Sequence, residues 1–290
     1  MSENLFSSSF LLRSKKNLLQ TTREILRSKG VKLRKQLSQN LSVDPSYLKC
    51  FLHAASSTKY TELLEIGTGI GVLTLVLAEN LSDRTIISIE KDKLLFSIAS
   101  ETVGKLGNVA LVLGDGLKLI TTTAVPLVVS SLPFHLTSSF IVSIARNNNI
   151  EKAILGIQKE VAQRLTASPG SPDYGRLTIL TSLLFTVKTL SSFPPSSFYP
   201  PPKVSVSVIE LTRKRKYDAR VHGCLEKLSA CLFSQRNKLA HKVLKRCIKE
   251  EVIAEKCIER LPENARVRDL SPEVLECIAQ EIVSCSSTNP

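Results

Sequence analysis

The sequence predicts an α/β fold with a seven-stranded, mostly parallel sheet whose last strand is antiparallel, followed by a small C-terminal helical domain. Three observations carry this. Between residues 61 and 157, short β-rich runs alternate with amphipathic stretches, the pattern of a parallel sheet with crossover helices. Two later runs, Leu183–Leu190 and Val204–Leu211, are joined only by a Pro- and Ser-rich connection. That is too short for a crossover helix, so the pair should be antiparallel. From Arg213-Lys-Arg-Lys216 onward, apolar residues recur at helical spacing.

Taken in order, residues 1–33 are Ser-rich and carry Arg13, Lys15, Lys16, Arg23 and Arg27, which reads as a basic, partly helical arm. Glu3 and Glu24 argue against an organelle transit peptide, which is poor in acids. The five parallel strands are expected at Thr61–Ile66, Thr85–Ile89, Val109–Leu113, Pro126–Ser131 and Lys152–Ile157, with helices in the gaps. Residues 34–212 then form one domain and 213–290 a second. In the second, Val221, Cys224, Leu225, Leu228, Cys231 and Leu232 line one helix face. Ser271-Pro272-Glu273 supplies an N-cap, a first-turn Pro and an early carboxylate for the last helix. Leu275, Ile278, Ala279 and Ile282 are its buried stripe, and 286–290 its frayed tail.

The chain has 290 residues and a formal charge of +13, which favours a polyanionic partner held through phosphate contacts and counterion release. No apolar stretch approaches the roughly 20 residues of a membrane helix, so a cytoplasmic monomer without a membrane partner is expected. The seven cysteines (Cys50, Cys224, Cys231, Cys247, Cys257, Cys277 and Cys285) include no CxxC pair and no His at ligand spacing. Reduced core thiols and no metal site are the expectation.

The strongest local signal is LLEIGTGIG, residues 63–71, a buried strand running into a glycine-rich turn and a helix over Val72–Glu79. Glycines let the backbone approach a ligand closely, and the helix N-terminus adds positive potential. A dinucleotide site wants G-x-G-x-x-G, and here the third glycine comes one residue early. The next strand ends at Glu90, where a carboxylate can accept both ribose hydroxyls of an adenosyl group. The third runs into Gly114-Asp115-Gly116, where Asp115 can accept from an adenine amino group. Each acid alone reads equally as a solvated loop residue. Three successive strand ends bearing Gly-x-Gly, Glu and Asp do not.

The fourth strand ends in Ser131-Leu132-Pro133-Phe134. The lone pair of an adenine amino nitrogen is delocalised into the ring. Methyl transfer therefore needs acceptors for the amino hydrogens that draw the nitrogen towards a pyramidal geometry. Ser131 Oγ and the Leu132 carbonyl can serve, Pro133 fixes the turn, and Phe134 offers a face for an extruded base. Phe198, in the segment FYPPPKV, could hold the other face. No strong base is required, since the amino proton becomes acidic once the methyl arrives.

Together these motifs, with KQLSQNLSVD at 35–44, QKEV at 158–161, YGRL at 174–177 and FSQRNK at 233–238, resemble the small-subunit ribosomal RNA adenine N6,N6-dimethyltransferase family, including its archaeal-type members. The match runs from about Thr22 to Ala279. The resemblance implies a Rossmann-like class I methyltransferase domain, S-adenosyl-L-methionine as donor, and dimethylation of two adjacent adenines in a ribosomal hairpin loop during subunit assembly. It implies that Gln39, Asn40 and Leu41 contact the methionine portion above Gly67 and Gly69, with Glu90 on the ribose and Asp115 on the adenine. It gives Ser131, Leu132, Pro133, Phe134 and Phe198 the target base, and Ser131 also touches the cofactor. Arg213, Lys214, Arg215, Arg236, Lys238, Lys242 and Lys245 become phosphate-binding surface, against the plainer reading of a solvated helix face.

Two departures stand out: family members usually carry Gly at the position of Ser38 and Asn at that of Ser131. Serine accepts one amino hydrogen bond with a shorter reach, and its smaller size leaves room for a second methyl. The alternative function is therefore a non-catalytic RNA-binding assembly or transcription factor that keeps the fold.

Overall fold

Leu63, Leu64, Glu65 and Ile66 are buried in succession, as a central parallel strand covered on both faces requires. They form β2 of a computed structural model that describes residues 7–33 and 40–287, with the backbone alone at 286 and 287. The expected contacts of Gln39, the family-like segment 35–38 and the last residues of the tail lie outside the described residues.

The chain divides into two compact units, Met1–Ala162 with Lys188–Thr212, and Gln163–Val187 with Arg213–Pro290. In order, the elements are α1 (Ser8–Leu11), α2 (Lys15–Ser28), β1 (Leu41–Ser42), α3 (Pro45–Ser56), β2 (Glu62–Ile66), α4 (Val72–Asn80), β3 (Thr85–Glu90) and α5 (Lys93–Val103). Then come β4 (Val109–Leu113), α6 (Gly116–Leu119), β5 (Leu127–Ser131), α7 (Thr137–Arg146), β6 (Lys152–Gln158), α8 (Lys159–Leu165), α9 (Arg176–Leu184), β7 (Phe185–Phe193), β8 (Phe198–Tyr199) and β9 (Val206–Arg213). Helices α10 (Val221–Phe233), α11 (Ala240–Cys247), α12 (Glu251–Ile258) and α13 (Pro272–Ser287) complete the chain.

The seven strands run in the order β4-β3-β2-β5-β6-β9-β7. The first five are parallel, and β9 lies antiparallel against β6, with Lys152 opposite Thr212 and Gln158 opposite Val206. Helix α4 buries Val72 through Ala78 without a polar face, as a helix enclosed by the core must. The run read as a strand from Leu183 is still helical through Leu184, and strand geometry starts at Phe185. A second, two-stranded sheet that sequence periodicity cannot reveal pairs Leu41 with Tyr199 and Ser42 with Phe198.

Three expectations need correction. Residues 8–28, read as a separate arm, belong to the first unit's core, because Leu11, Leu18 and Leu26 form an apolar stripe that the Ser-rich composition hides. Helix α1 is also tied to α4: Ser8 N–H donates to Glu79 Oε2 at 2.7 Å and Asn80 Nδ2 to Ser8 Oγ at 3.2 Å. Residues 163–187, placed by sequence in the first domain, fold with the helical unit. Tyr174 is the cause, since its buried ring packs on Phe233 and its hydroxyl donates to the Leu270 carbonyl at 2.7 Å. Finally, Cys231 and Cys247, read as reduced, are joined in a disulfide between α10 and α11. A spacing of 16 residues matches no local cysteine pattern, and only the packing of the two helices brings the pair together.

Candidate active site

The glycine-rich turn after β2 adopts backbone angles that side-chain-bearing residues rarely reach, with φ of 87° at Gly67, 61° at Gly69 and 88° at Gly71. Gly71 caps α4 in this left-handed conformation. A Cβ at Gly69 would press on Leu41 Cδ2 at 3.0 Å, so the turn and the 40–42 segment approach each other as closely as glycine allows. Both line a cavity of about 430 Å³ in the first unit.

Glu90, at the end of β3, is buried and braces the turn. Its Oε2 accepts from Gly69 N–H at 2.8 Å, while Oε1 accepts from the backbone N–H of Lys91 at 2.9 Å and Asp92 at 2.8 Å. Burial raises its pKa, and these three donors partly offset the rise. Asp115 caps α6 through the Leu117 N–H at 3.0 Å, and Lys91 Nζ sits 2.8 Å from its other oxygen. The lysine hydrogen bond is the largest cause holding that carboxyl below its usual range. Both acids line the cavity.

Beneath the turn lies a buried polar cluster. Glu65 Oε2 accepts from Thr74 Oγ1 at 2.5 Å and Ser88 Oγ at 2.7 Å, and Thr68 and Ser88 hydroxyls pair at 2.6 Å. Burial raises the Glu65 carboxyl to about 7, opposed by the two hydroxyl donors. The sequence showed this glutamate only as part of the LLEIG strand.

Ser131, Leu132 and Pro133 leave β5 at the same cavity, which Gly67, Gly69, Asn40 and Leu41 also line. Phe134 follows, half-buried against the core. Phe198 is placed differently from the reading that gave it a base to stack on. It is 4% exposed, its ring edge-to-face with Tyr47 at 5.0 Å, so it is committed to the core behind Ser131. Sequence reasoning missed Tyr47, whose hydroxyl is 2.7 Å from Ser131 Oγ, and Lys91. For Tyr47 the available signal was its place on the buried stripe with Leu48, Phe51 and Ala55 of α3.

In the helical unit the expected phosphate contacts separate into two kinds. Arg236 donates to the carbonyls of Pro172 at 2.8 Å and Ser171 at 2.9 Å, Arg215 pairs with Glu276 at 2.8 Å, and Arg213 lies over the Phe185 ring at 4.6 Å. These arginines have partners within the unit, and the Arg215 side chain is still 48% exposed. Lys214, Lys238, Lys242 and Lys245 are exposed, the last two a turn apart on α11 opposite its buried Val243 and Leu244. Among the described residues no His, Cys, Asp and Glu group could hold a metal ion, and no helix is long and apolar enough to cross a membrane.

Residues 30–283 match the family model described as Ribosomal RNA adenine dimethylase. A "Probable ribosomal RNA small subunit methyltransferase A" of Aeropyrum pernix is 38% identical over 216 residues, 73% of this chain and 76% of that protein. The "Ribosomal RNA small subunit methyltransferase A" of Desulforapulum autotrophicum is 32% identical over 223 residues, covering 74% and 78%. Among solved structures, a dimethyladenosine transferase from Plasmodium falciparum superposes with a TM-score of 0.72 at 23% identity, covering 85% of this chain and 98% of that one. The 23S rRNA methyltransferase ErmE gives 0.60 at 23% identity, covering 83% and 99%. These two likenesses speak to the fold.

Proposed function

The chain belongs to the ribosomal RNA adenine dimethylase family, and we propose that it methylates N6 of two adjacent adenines in a small-subunit rRNA hairpin loop at the cavity of the first unit. The protein is an S-adenosylmethionine-dependent rRNA adenine dimethyltransferase. The observation that carries the site assignment is a juxtaposition. Ser131 and Leu132, whose hydroxyl and carbonyl can accept from an amino group, line the same cavity as Gly67, Gly69, Glu90 and Asp115.

The residues fit the donor. The glycine turn leaves no side chain between the backbone and a ligand, and a buried carboxylate stands at the end of β3 with an accessible one at the end of β4. Asn40, Leu41, Gly67 and Gly69 would hold the methionine side, Glu90 the ribose and Asp115 the adenine. When bound, S-adenosylmethionine supplies a methyl group on a positively charged sulfur.

The chain's own part is to orient and desolvate. Ser131 Oγ and the Leu132 carbonyl accept the two N6 hydrogens, pulling the amino group out of conjugation and aiming its lone pair at the methyl. Phe134 stacks on the base, which contributes roughly 1–3 kcal/mol by analogy with single-strand binding. Alignment of the reacting atoms supplies much of the rate, and the proton is shed after transfer without a dedicated base.

The exposed lysines 214, 238, 242 and 245 support an RNA backbone contact in the helical unit, with an assembling small subunit as substrate. The deciding experiment is transfer of labelled methyl from S-adenosylmethionine to undermethylated small subunits, with the nucleosides resolved by mass spectrometry. Dimethyladenine at two adjacent positions is expected; cofactor binding without transfer would overturn the Ser131 assignment and favour a non-catalytic assembly factor.

A further inference from the structure

Tyr47 is wholly buried in the first unit. The rings of Phe51, Phe193 and Phe198 stand edge-on around it, with centroids 5.1, 5.1 and 5.0 Å away. At its far end the hydroxyl lies 2.7 Å from Ser131 Oγ. Gly156 on β6 is the register partner of Ser131, and its carbonyl accepts from Leu132 N–H at 3.0 Å. A Cβ at Gly156 would overlap the Tyr47 hydroxyl. Helix α3, β5 and β6 thus leave a slot for one phenolic oxygen, beside Ser131, which lines the cavity.

A phenylalanine would supply the same ring to the same aromatic box, so packing does not explain the oxygen. Its direction as a hydrogen bond follows from burial. Among the described residues no other group pairs with this hydroxyl, and a buried phenol proton without an acceptor is costly. Burial also holds the phenol far above its usual range, so it stays protonated at any working pH. Tyr47 therefore donates and Ser131 accepts. Ser131 Oγ keeps one lone pair and its own proton for the cavity.

We propose that Tyr47 is a positioning residue for methyl transfer: its buried hydroxyl locks Ser131 in the rotamer that presents the remaining Oγ lone pair to an amino hydrogen of the target adenine. Without it, a serine at a strand end samples three staggered rotamers. The proposal rests on the reading of Ser131 as an N6 acceptor. It also ties the two halves of the site together. Tyr47 sits on the first turns of α3, directly after the Asn40–Ser42 segment on the cofactor side, and packs on Phe198, which pairs with Ser42.

The test compares wild type, Tyr47→Phe, Ser131→Ala and the double variant in single-turnover methyl transfer. It is joined by cofactor affinity from calorimetry and high-resolution structures of wild type and Tyr47→Phe. Tyr47→Phe keeps the ring and is expected to slow transfer about 3- to 10-fold while cofactor affinity stays within about twofold. On the Ser131→Ala background the same change should have almost no effect, because the residue it acts through is gone. Ser131 should occupy more than one rotamer in Tyr47→Phe crystals. An unchanged rate in Tyr47→Phe, an equal loss in both backgrounds, or a single unaltered Ser131 rotamer would overturn the proposal. If wild type itself transferred no methyl, the acceptor reading of Ser131 would fall, while the rotamer comparison would still decide whether Tyr47 holds that side chain.

Discussion

The two units use polar side chains in opposite ways. In the first, the polar residues singled out by motif converge on a cavity: the Gly67–Gly71 turn, Glu90, Asp115 and Ser131 come from successive strand ends and meet within one site. In the helical unit, residues of like charge in like segments part company. Arg236 closes onto the Ser171 and Pro172 carbonyls, whereas Lys238, two positions on, projects into solvent. A motif built from backbone geometry has few ways to be satisfied. A cationic side chain has many, and its partner is set by what the fold brings near.

The largest effect expected from sharpening this contrast is in the first unit. Gly69→Arg puts a side chain on a residue with φ of 61°, against Leu41 and into the cavity. Cofactor affinity measured by calorimetry should fall on the order of 100-fold or more, about 2.7 kcal/mol or above. Retained affinity would take Gly69 out of the site. Next, Phe134→Ala should slow methyl transfer by roughly 5- to 150-fold, the equivalent of a base stack worth about 1–3 kcal/mol, while leaving cofactor affinity unchanged. Transfer at the wild-type rate would mean the base stacks elsewhere.

The helical unit should answer differently to the loss of its two kinds of cation. Arg236→Ala removes two hydrogen bonds to carbonyls and should cost about 1–3 kcal/mol in denaturant unfolding, whereas Lys242→Ala should stay within about 0.5 kcal/mol. Equal small effects would erase the distinction between them. Neutralising Lys238, Lys242 and Lys245 together should leave stability nearly untouched and flatten the salt dependence of RNA binding, each true contact lowering the log–log slope by roughly 0.7–0.9. An unaltered slope would leave these lysines as solvated surface.

A pH experiment tests the buried cluster under the glycine turn. The folded Glu65 carboxyl is raised to about 7 from an ordinary 4.5, so the folded state holds the proton more tightly than the unfolded one. The associated stability is complete below about pH 4.5 and is lost as the pH climbs through about 7. Melting should therefore show a decline between pH 5 and 8, roughly 2–3 kcal/mol from this carboxyl, that Glu65→Gln reduces markedly. The same decline in the variant would assign it to other groups.

Much of the site was legible because its signals are local. Glycine spacing, an acid at a strand end and the Ser131-Leu132-Pro133-Phe134 turn each depend on a few consecutive residues, and the parallel sheet followed from the alternation of patterns. Tyr47 was not legible as a partner of Ser131, since 84 residues separate them and nothing in PSYLK marks one ring of a buried stripe as special. Phe198 was misread for the complementary reason. Its neighbours FYPPPKV suggest an exposed, rigid aromatic, yet the ring turns inward to complete the box around Tyr47.

The sequence by itself determined the fold class, the glycine turn with its two acids, the Ser131–Phe134 strand end and the excess of positive charge. Backbone sterics, hydrophobic period and net charge are properties of short segments or of composition, and they survive without knowledge of the fold. Only the tertiary structure decided that residues 8–28 join the core, that 163–187 fold with the helical unit, that Cys231 meets Cys247 and that Tyr47 reaches Ser131. Each of these is a pairing between distant residues, chosen by burial and by the need of buried polar groups for partners, and such choices are made only when the chain closes on itself.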